Sequence, residues 1–411
     1  MCQLCPPTKL PTKESNSSSL HLKFPFVVAL IALSIQVALS EILCGWTKQY
    51  TSPIYFSPSK DWTSYLFRTV HHIPDMTGKV AIVSGSNTGI GYETALELAR
   101  AGAQVIVAAR SDTRGLDAVQ RIRQEISAEE DDSDSVQYMN LDLASLASVE
   151  NFAKNFAKLN LDLHLLVLNA GVMKSPGEHF IGEALTEGFD ITENGFEYHI
   201  GVNHIGHAYL TKLLTKQLKA TAAKNADGSR IVSVSSIAEE GAPESGFQFE
   251  DWLPVDGTMP STYEDGAFYG QSKLANLMYA TELSENLNLT GVSVYSCHPG
   301  VITTELSRYL DNVFEEKNAN KNFLVKALIK GVGVFFNSAL FDPRGGALTQ
   351  LHLATADKEG LVNGGFYHPV GREMTPSHPQ AQNATLRNML WTETEKIIAT
   401  RNWTGRIRNM L

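Results

Sequence analysis

A strand, a glycine-rich turn and a helix follow one another in residues 79–99, and this order constrains the fold more than any other feature. The segment reads KVAIVSGSNTGIGYETALELA. The apolar run Val80–Val83 predicts a buried parallel strand, and the apolar residues at helical spacing after the turn predict a helix. Without side chains, Gly85, Gly89 and Gly91 would let the backbone approach a pyrophosphate at the helix N-terminus. This unit predicts dinucleotide binding, with an ordinary glycine-rich turn as the alternative.

A tyrosine and a lysine four residues apart form the second informative pattern. On a helix, Tyr269 and Lys273 lie on one face, a turn apart. A cation beside a phenol favours the phenolate, so we expect Lys273 to lower the pKa of Tyr269. Such a pair could exchange a proton with an alcohol or a carbonyl near neutral pH. The alternative is a pair of exposed helical side chains with no chemical role.

The Gly-x-x-x-Gly-x-Gly spacing of the turn and the Tyr-x-x-x-Lys pair together resemble the short-chain dehydrogenase/reductase family. The resemblance extends from about Gly78 to about Tyr367, and several motifs occur in the order that the family has. It implies a single domain of the α/β class, with a Rossmann-type doubly wound parallel sheet in which strands and helices alternate. It also implies hydride transfer between a nicotinamide cofactor and an alcohol or carbonyl.

The same resemblance implies a catalytic set of four residues. Asn203 would help hold a water that connects the lysine to solvent, and Ser236 would donate a hydrogen bond that polarises the substrate carbonyl. Ser235 is a close competitor for that role, because the two serines are adjacent. Tyr269 would supply the proton as the hydride arrives, and Lys273 would also hold the ribose hydroxyls of the nicotinamide.

The end of the second predicted strand indicates which cofactor is used. An acidic side chain about 20 residues beyond the glycines would bind the ribose hydroxyls of NAD, but this chain has Ala109 there, followed by Arg110. An arginine can neutralise the 2′-phosphate of NADP, so we predict NADP(H). An Arg110 that only faces water is the alternative. The turn offers Ser86, Asn87 and Thr88 rather than a second basic residue, so we expect an incomplete preference.

Further cofactor contacts are implied at the ends of other strands. Asp142 would contact the adenine ring, act as a helix N-cap or do both, and Asn169 would mainly support the sheet. Thr304, with Thr303 as the alternative, would meet the nicotinamide carboxamide. The complete predicted cofactor set is Gly85, Ser86, Asn87, Thr88, Gly89, Ile90, Gly91, Arg110, Asp142, Leu143, Asn169, Ala170, Gly171, Tyr269, Lys273, Pro299, Gly300 and Thr304.

The composition fits one large globular domain. The chain has 411 residues, of which 43% are hydrophobic, and a formal net charge of −10. This gives material for a large core and no basic excess that would indicate a nucleic acid partner. Cys2, Cys5, Cys44 and Cys297 imply no disulfide framework, which predicts folding in a reducing setting, and no Cys or His cluster around His298 has metal-ligand spacing, so no metal site is predicted. His298 is interpreted as a hydrogen-bonded histidine beside a turn.

The N-terminal part of the chain differs in character from the rest. Residues 1–23 form a polar tail, residues 24–43 are apolar, and residues 44–77 lead into the domain predicted at 78–370. We interpret residues 24–43 as a membrane anchor, with a cleaved signal peptide as the alternative. The location expected is the membrane of the endoplasmic reticulum, with the side of the membrane left open. Residues 371–411 are interpreted as a C-terminal extension.

Two segments should determine the substrate, an aromatic loop at 240–268 and a lid at 305–340. The motifs in Cys297–Gly300, Asp342–Gly346 and Asn363–Tyr367, together with the predicted anchor, resemble the retinol dehydrogenase branch of the family. This implies a lipophilic alcohol, aldehyde or ketone of retinoid, steroid or fatty aldehyde type, with homo-oligomerisation left open. Two other hypotheses stay open: a membrane-tethered NADP(H)-binding sensor without turnover, and a reductase of carbon–carbon double bonds in a pigment or lipid precursor.

Overall fold

A mostly parallel sheet of eight strands organises the fold. The computed structural model describes residues 73–126, 135–173, 178–181, 184–187, 190–254, 263–300, 302 and 342–400. The strands are β1 (Val80–Ser84), β2 (Gln104–Ala109), β3 (Val136–Asn140), β4 (Leu165–Leu168), β5 (Glu178–Ile181), β6 (Ala184–Glu187), β7 (Ser229–Val234), β8 (Val292–Cys297), β9 (Phe366–His368) and β10 (Arg372–Glu373). The large sheet has the order β10-β9-β8-β7-β4-β1-β2-β3, and β5 and β6 form a separate antiparallel pair. The predicted Rossmann-type sheet is confirmed.

Seven α-helices cover the two faces of this sheet in the part of the chain that the structure describes. They are α1 (Gly89–Arg100), α2 (Asp112–Glu125), α3 (Leu146–Lys158), α4 (Gly206–Ala222), α5 (Asp265–Asn286), α6 (Pro343–Thr355) and α7 (Ala384–Ala399). A π-helical turn at Ile200–Ile205 leads directly into α4. Three short 3₁₀ turns lie at Ile237–Gly241, Phe249–Trp252 and Lys358–Gly360.

The strand order places the predicted site at the centre of the sheet. Strand β1 pairs with β2 on one side and with β4 on the other, both in parallel. The chain therefore runs outward from β1 to β3 and then returns to build the other half from β4 onward. In such sheets, ligands bind at the carboxyl ends of the strands where the order reverses. The glycine turn follows β1, and the Asn-Ala-Gly turn follows β4, so both lie at this crevice.

Alternate residues of β1 enter opposite halves of the core. Val80 and Ile82 belong to a cluster that extends to α3, α4 and α5, whereas Ala81 and Val83 belong to a second cluster with α1 and α6. All four are 5% exposed or less, as the period of two in a strand requires when both faces are covered. The continuous apolar run read from the sequence is therefore a central strand buried on both faces.

Residues near the C-terminus pack onto the domain. The side chain of Asn383 starts α7 as an N-cap, accepting hydrogen bonds from the backbone N–H groups of Thr385 and Leu386. Arg387 then forms an ion pair of 2.9 Å with Glu282 of α5. The buried Leu390 and Ile398 belong to the larger core cluster. The segment predicted as an extension thus supplies a helix of the folded domain, and the other domain boundaries stay predictions.

Several predicted segments lie outside the described residues. These include the tail at 1–23, the anchor at 24–43, nearly all of 44–77, the part of the aromatic loop at 255–262, and the whole lid at 305–340. Across the residues that are described, no helix combines the length and the apolar character needed to cross a membrane.

Candidate active site

Tyr269 and Lys273 lie on α5, the helix predicted from their spacing, at the carboxyl end of β7. The Lys273 side chain is 4% exposed, and its Nζ donates a hydrogen bond of 3.1 Å to the carbonyl oxygen of Val234 at the end of β7. The same Nζ lies 5.7 Å from the centre of the Tyr269 ring. Burial lowers the pKa of Lys273 to about 8, because an ammonium loses hydration in the core.

The direction of the pKa shift of Tyr269 differs from the prediction. Burial raises the pKa of Tyr269, and a hydrogen bond with the Ser236 side chain acts in the opposite direction. The expectation of a lowered pKa considered only the neighbouring cation and not the loss of hydration around the phenol. The Lys273 ammonium is directed to the carbonyl oxygen of Val234, and burial is the dominant effect on the phenol.

The geometry distinguishes the two adjacent serines. Ser236 begins the 3₁₀ turn after β7, its Oγ accepts a hydrogen bond from the N–H of Ala238, and it is hydrogen bonded to Tyr269. Ser235 is 2% exposed and donates its hydroxyl to the carbonyl oxygen of Lys273 at 2.6 Å. The hydroxyl of Ser235 is therefore used inside the fold, while that of Ser236 lies at the predicted acid–base group.

Asn203 occupies the π-helical turn and is completely buried. Its Oδ1 accepts from the N–H of Val172 at 2.8 Å, and its Nδ2 donates to the carbonyl oxygen of Val172 and to Oγ of Ser272, both at 2.9 Å. The Ser272 hydroxyl in turn donates to the carbonyl oxygen of Tyr269. Asn203 therefore ties the segment after β4 to the helix that carries the tyrosine. π-Helical turns occur often at functional sites.

The glycine turn has the backbone that the sequence predicted. Gly85 and Gly89 have φ values of +67° and +61°, a region that favours glycine. A Cβ on Gly91 would lie 2.4 Å from Nδ2 of Asn169 and 2.5 Å from the carbonyl oxygen of Gly85. Ser86 is buried and its hydroxyl donates to the carbonyl oxygen of Val83, which fixes the turn. Asn87 and Thr88 complete the turn, with Thr88 at the N-cap position of α1, and Ile90 lies in the first turn of that helix.

The Asn-Ala-Gly turn after β4 joins the glycine turn to the lysine. The Asn169 side chain donates to the carbonyl oxygen of Ser84, and the N–H groups of Asn169 and Ala170 donate to the Ser84 hydroxyl at 2.9 and 3.0 Å. A Cβ on Gly171 would lie 3.1 Å from Nζ of Lys273. Asn169 thus holds the ends of β1 and β4 together. The two turns and the lysine lie at one crevice. The turns are packed so closely that Gly85, Gly91 and Gly171 have little space for a side chain.

The known proteins that this chain resembles agree with this geometry. The family described as short chain dehydrogenase matches residues 79–246. Retinol dehydrogenase 11 of Homo sapiens is 34% identical over 372 residues, which cover 90% of this chain and 94% of that protein. Polyprenol dehydrogenase of Mus musculus is 35% identical over 370 residues, which cover 89% and 92%. A crystal structure of an uncharacterised protein from Mycobacterium paratuberculosis has a TM-score of 0.57 at 27% identity, covering 80% of this chain and 97% of that one.

The chain belongs to the short-chain dehydrogenase/reductase family. As a member of this oxidoreductase family it acts on CH–OH or C=O groups with a nicotinamide cofactor. The cradle fits that group, because a Cβ added to Gly89, in the middle of the turn, would meet no protein atom within 4 Å, which leaves space for a ligand beside the backbone at the start of α1.

Arg110 of this dehydrogenase is exposed at the end of β2 and is held by a partner that the sequence did not indicate. Its Nη1 donates a hydrogen bond of 3.0 Å to the hydroxyl of Tyr198, a residue 6% exposed. A second basic residue reaches the glycine turn from α2, because Nη2 of Arg121 donates to the carbonyl oxygen of Asn87 at 3.1 Å. The turn itself lacks a basic residue, but a neighbouring helix of the enzyme supplies one.

Asp142 supports its own loop and is not a helix cap. Its Oδ1 accepts from the N–H of Ala144 at 2.9 Å, whereas the side chain of Ser145 caps α3. The N-cap interpretation is therefore wrong by three positions, since the helix begins at Leu146. Leu143 beside it is 6% exposed and packs in the core. The adenine contact stays a prediction.

The loop after β8 has the predicted turn. Gly300 has a φ of +94°, and its N–H donates to Nδ1 of His298 at 2.9 Å. Burial lowers the pKa of His298 to about 3, so its ring is neutral. Among the residues described, no group of His, Cys, Asp and Glu side chains could hold a metal ion. Pro299 precedes this glycine, while Thr303 and Thr304 lie outside the described residues.

Three buried side chains around the site, Glu197, His199 and His207, were not indicated by the sequence. His199 stacks edge-on to the Tyr269 ring at 6.1 Å between centroids, and its Nδ1 lies 2.7 Å from Oε1 of Glu197. Burial alone would lower the pKa of His199, but the carboxylates of Glu197 and Asp265 raise it. The third residue is His207, at hydrogen-bond distance from Ser84 and Asn203. No spacing rule would have found these residues, because their importance lies in contacts between distant segments.

Proposed function

We propose that the protein is an NADP(H)-dependent oxidoreductase that interconverts a lipophilic alcohol and its aldehyde or ketone. The observation that carries this proposal is the Ser236 side chain beside the Tyr269 hydroxyl, next to the buried ammonium of Lys273. A hydroxyl donor, a phenol and a cation at one point are what proton transfer to a carbonyl oxygen needs.

Each residue then has a distinct task. Ser236 holds and polarises the carbonyl oxygen, and Tyr269 delivers the proton to that oxygen in reduction or removes it from the alcohol in oxidation. The bound nicotinamide would supply or accept the hydride. Lys273, whose pKa is lowered to about 8, can pass a proton onward near neutral pH, and Asn203 fixes the segment beside it. The pKa of Tyr269 is raised by burial, which favours the protonated form required for reduction.

Arg110 supports the choice of NADP(H) over NAD(H). No carboxylate stands at the end of β2, where Ala109 is 3% exposed, and the Arg110 guanidinium is held toward solvent by Tyr198. An arginine can pair with a 2′-phosphate through two parallel hydrogen bonds. The variant Arg110→Ala should weaken NADPH binding about 10- to 100-fold, the effect of losing about 1.5–3 kcal/mol. NADH binding to the same variant is the internal control and should be nearly unchanged.

The two relatives suggest the substrate class. Retinol and polyprenol, the alcohols in their names, are both long isoprenoid alcohols with a terminal hydroxyl. We therefore favour a long apolar alcohol or aldehyde that is stored in a bilayer. A membrane anchor at residues 24–43 in the endoplasmic reticulum would give direct access to such a substrate, and homo-oligomerisation is a further part of the proposal.

The test is cofactor oxidation by the detergent-solubilised full chain. NADPH and NADH would be compared with retinal, long-chain isoprenoid and fatty aldehydes, and a steroid ketone. The variant Tyr269→Phe should lose turnover while it keeps NADPH binding. Tyr279→Phe is the matched control, because it removes a hydroxyl from the same helix at a buried ring that stacks on Trp391.

Two outcomes would contradict the proposal. Tight NADPH binding without turnover on any carbonyl would favour a sensor or a reductase of carbon–carbon double bonds. Undiminished turnover in Tyr269→Phe would exclude the tyrosine as the acid–base group.

A further inference from the structure

A buried chain of hydrogen bonds connects the cofactor-binding turns to Asn203 through one histidine. Ser84, at the end of β1, is completely buried, and its hydroxyl accepts the N–H groups of Asn169 and Ala170. The same oxygen lies 2.9 Å from Nε2 of His207. On the other side of the ring, Nδ1 lies 3.0 Å from the carbonyl oxygen of Asn203. His207 is 3% exposed, so these hydrogen bonds lie inside the core.

The partners of the ring determine where its proton is. A carbonyl oxygen can only accept, so Nδ1 of His207 carries the hydrogen and donates it to Asn203. Nε2 is then the acceptor, and it takes the hydroxyl hydrogen of Ser84. Ser84 has already accepted two N–H groups, and its distance to Nε2 is shorter than the 3.3 Å to the carbonyl oxygen of Val167. Every polar atom of the ring is satisfied in one tautomer.

The ring is also held neutral. Burial and, to a smaller extent, the charge of Lys273 lower the pKa of His207 to about 4, although the hydrogen bond to the Asn203 carbonyl acts in the opposite direction. A protonated ring would have no acceptor left for Ser84, and it would repel the ammonium of Lys273. The histidine therefore acts through two directional hydrogen bonds rather than through charge.

We propose that His207 is a positioning residue that makes the cofactor-binding turns and the π-helical turn at Asn203 one rigid unit. This inference rests on the proposed function, in which the Asn169 turn helps bind the cofactor and Asn203 fixes the segment beside Lys273. Its Ser84 side supports the backbone that reaches Gly171 beside Lys273, and its Asn203 side fixes the π-helical turn.

The two halves of the link can be separated by substitution. In His207→Asn, the amide nitrogen takes the place of Nδ1, so the bond to Asn203 is kept and the bond to Ser84 is lost. In His207→Gln, the amide oxygen takes the place of Nε2, so the opposite bond is kept. Each lost hydrogen bond should change the affected quantity about 2- to 10-fold. His207→Asn should weaken NADPH binding with kcat retained, and His207→Gln should lower kcat with NADPH binding retained.

The measurements are the Kd for NADPH by fluorescence titration, kcat, and Tm, for the full chain in detergent. The inference is overturned if both variants lower Tm but leave the Kd and kcat unchanged, because the histidine would then be a packing residue only. It is equally overturned if both variants change the two quantities in the same ratio. If neither variant folds, Ser84→Ala replaces them: weaker NADPH binding with kcat retained supports the link, and unchanged binding overturns it.

Failure of the proposed function has a different signature. It would appear as absent turnover in the unmodified chain or as full turnover in Tyr269→Phe. The expected loss of NADPH affinity in His207→Asn would still be measurable in either case, because it needs no chemical step.

Discussion

The glycine turn at residues 85–91 and the catalytic cluster around Tyr269 and Lys273 lie at the same end of the sheet. The first depends on its backbone and the second on its side chains. The turn is made of backbone, with glycines at Gly85, Gly89 and Gly91 where side chains would collide or φ is positive. The cluster is made of buried polar side chains, and Asn203 and Lys273 are 0% and 4% exposed. Shape matters most in the first region, and hydrogen bonding and charge matter most in the second.

Mutations in the two regions should therefore act in different ways. A side chain added at Gly85 or Gly91 collides with neighbouring protein atoms and so changes the shape of the turn without touching the proton path. A polar group removed from the cluster leaves its buried partners unpaired, which costs stability and alters proton transfer. The two regions meet at Gly171, where a Cβ would lie 3.1 Å from Lys273.

Replacing the buried lysine should have the largest effect on turnover. Lys273→Met keeps the length of the side chain but removes the ammonium next to Tyr269 and its bond to Val234. We expect kcat to fall about 100- to 10,000-fold, the range for losing a group that takes part in proton transfer. The measurement is single-turnover reduction of an aldehyde.

Lys212→Met on α4 is the control for the lysine. Its ammonium pairs with Glu395 at the surface, and its side chain is 41% exposed. Its kcat should stay within about twofold, because an exposed ion pair contributes little. A kcat for Lys273→Met equal to that of the control would remove the lysine from the mechanism.

A methyl group in the turn should act on binding and stability instead. In Gly91→Ala, the new Cβ would lie 2.5 Å from the carbonyl oxygen of Gly85, and backbone cannot move away easily. Overpacking of this kind costs about 1–3 kcal/mol, so we expect a lower Tm and weaker NADPH binding by titration.

Gly266→Ala is the matched control for the turn. It lies in the first turn of α5 with no atom within 4 Å of an added Cβ. Alanine favours a helix by up to about 1 kcal/mol over glycine, so its Tm should be equal or slightly higher. Normal NADPH binding by Gly91→Ala would show that the turn is not shaped for the cofactor.

The sequence predicts the first of these regions better than the second. Glycine is required where φ is positive or backbone approaches backbone, so the requirement for Gly85 and Gly91 remains visible in the residue type. Tyr269 and Lys273 were found because four residues are one helical turn. His207 was missed because its partner Ser84 is 123 residues away, and only the fold brings them together.

Burial explains the predictions that were wrong or could not be decided. The pKa of Tyr269 is raised by loss of hydration, which the spacing to Lys273 does not reveal. Ser235 and Ser236 are equivalent in the sequence, but one hydroxyl is bonded to the carbonyl oxygen of Lys273 and the other lies at the tyrosine. Asp142 and Ser145 are both of residue types that favour the N-cap position. Ser145 is the cap because the helix begins at Leu146.

A buried glutamate in the 3₁₀ turn that follows Ser236 should make the stability of the protein depend on pH. Glu239, in the same 3₁₀ turn, is 1% exposed and accepts hydrogen bonds from the N–H groups of Ser377 and His378. Burial outweighs these bonds and raises the pKa of Glu239 from 4.5 to about 7. The folded protein therefore binds this proton more tightly than the unfolded chain does, and its contribution to stability is lost as the pH rises from 4.5 through 7.

The variant Glu239→Gln isolates this contribution. Relative to the unmodified chain, its free energy of unfolding should rise by up to about 3 kcal/mol between pH 5 and pH 8, at about 1.4 kcal/mol for each unit of the pKa shift. Urea denaturation at the two pH values is the measurement. A constant difference between the proteins would mean that Glu239 is ionised throughout, stabilised by the two N–H groups.

The smallest effect is expected at the edge of the cofactor region, where a side chain rather than backbone makes the contact. Tyr198→Phe removes the hydroxyl that accepts from Nη1 of Arg110 and leaves the buried ring in place. Loss of one hydrogen bond of this kind should weaken NADPH binding about 2- to 10-fold. NADH binding should be unchanged, because NADH has no 2′-phosphate for Arg110 to meet.

If the binding of NADPH and the binding of NADH weaken equally in Tyr198→Phe, Tyr198 supports the end of β2 as a whole. The double variant with Arg110→Ala, in which Tyr198→Phe should then add nothing, separates a role through the arginine from a role in packing.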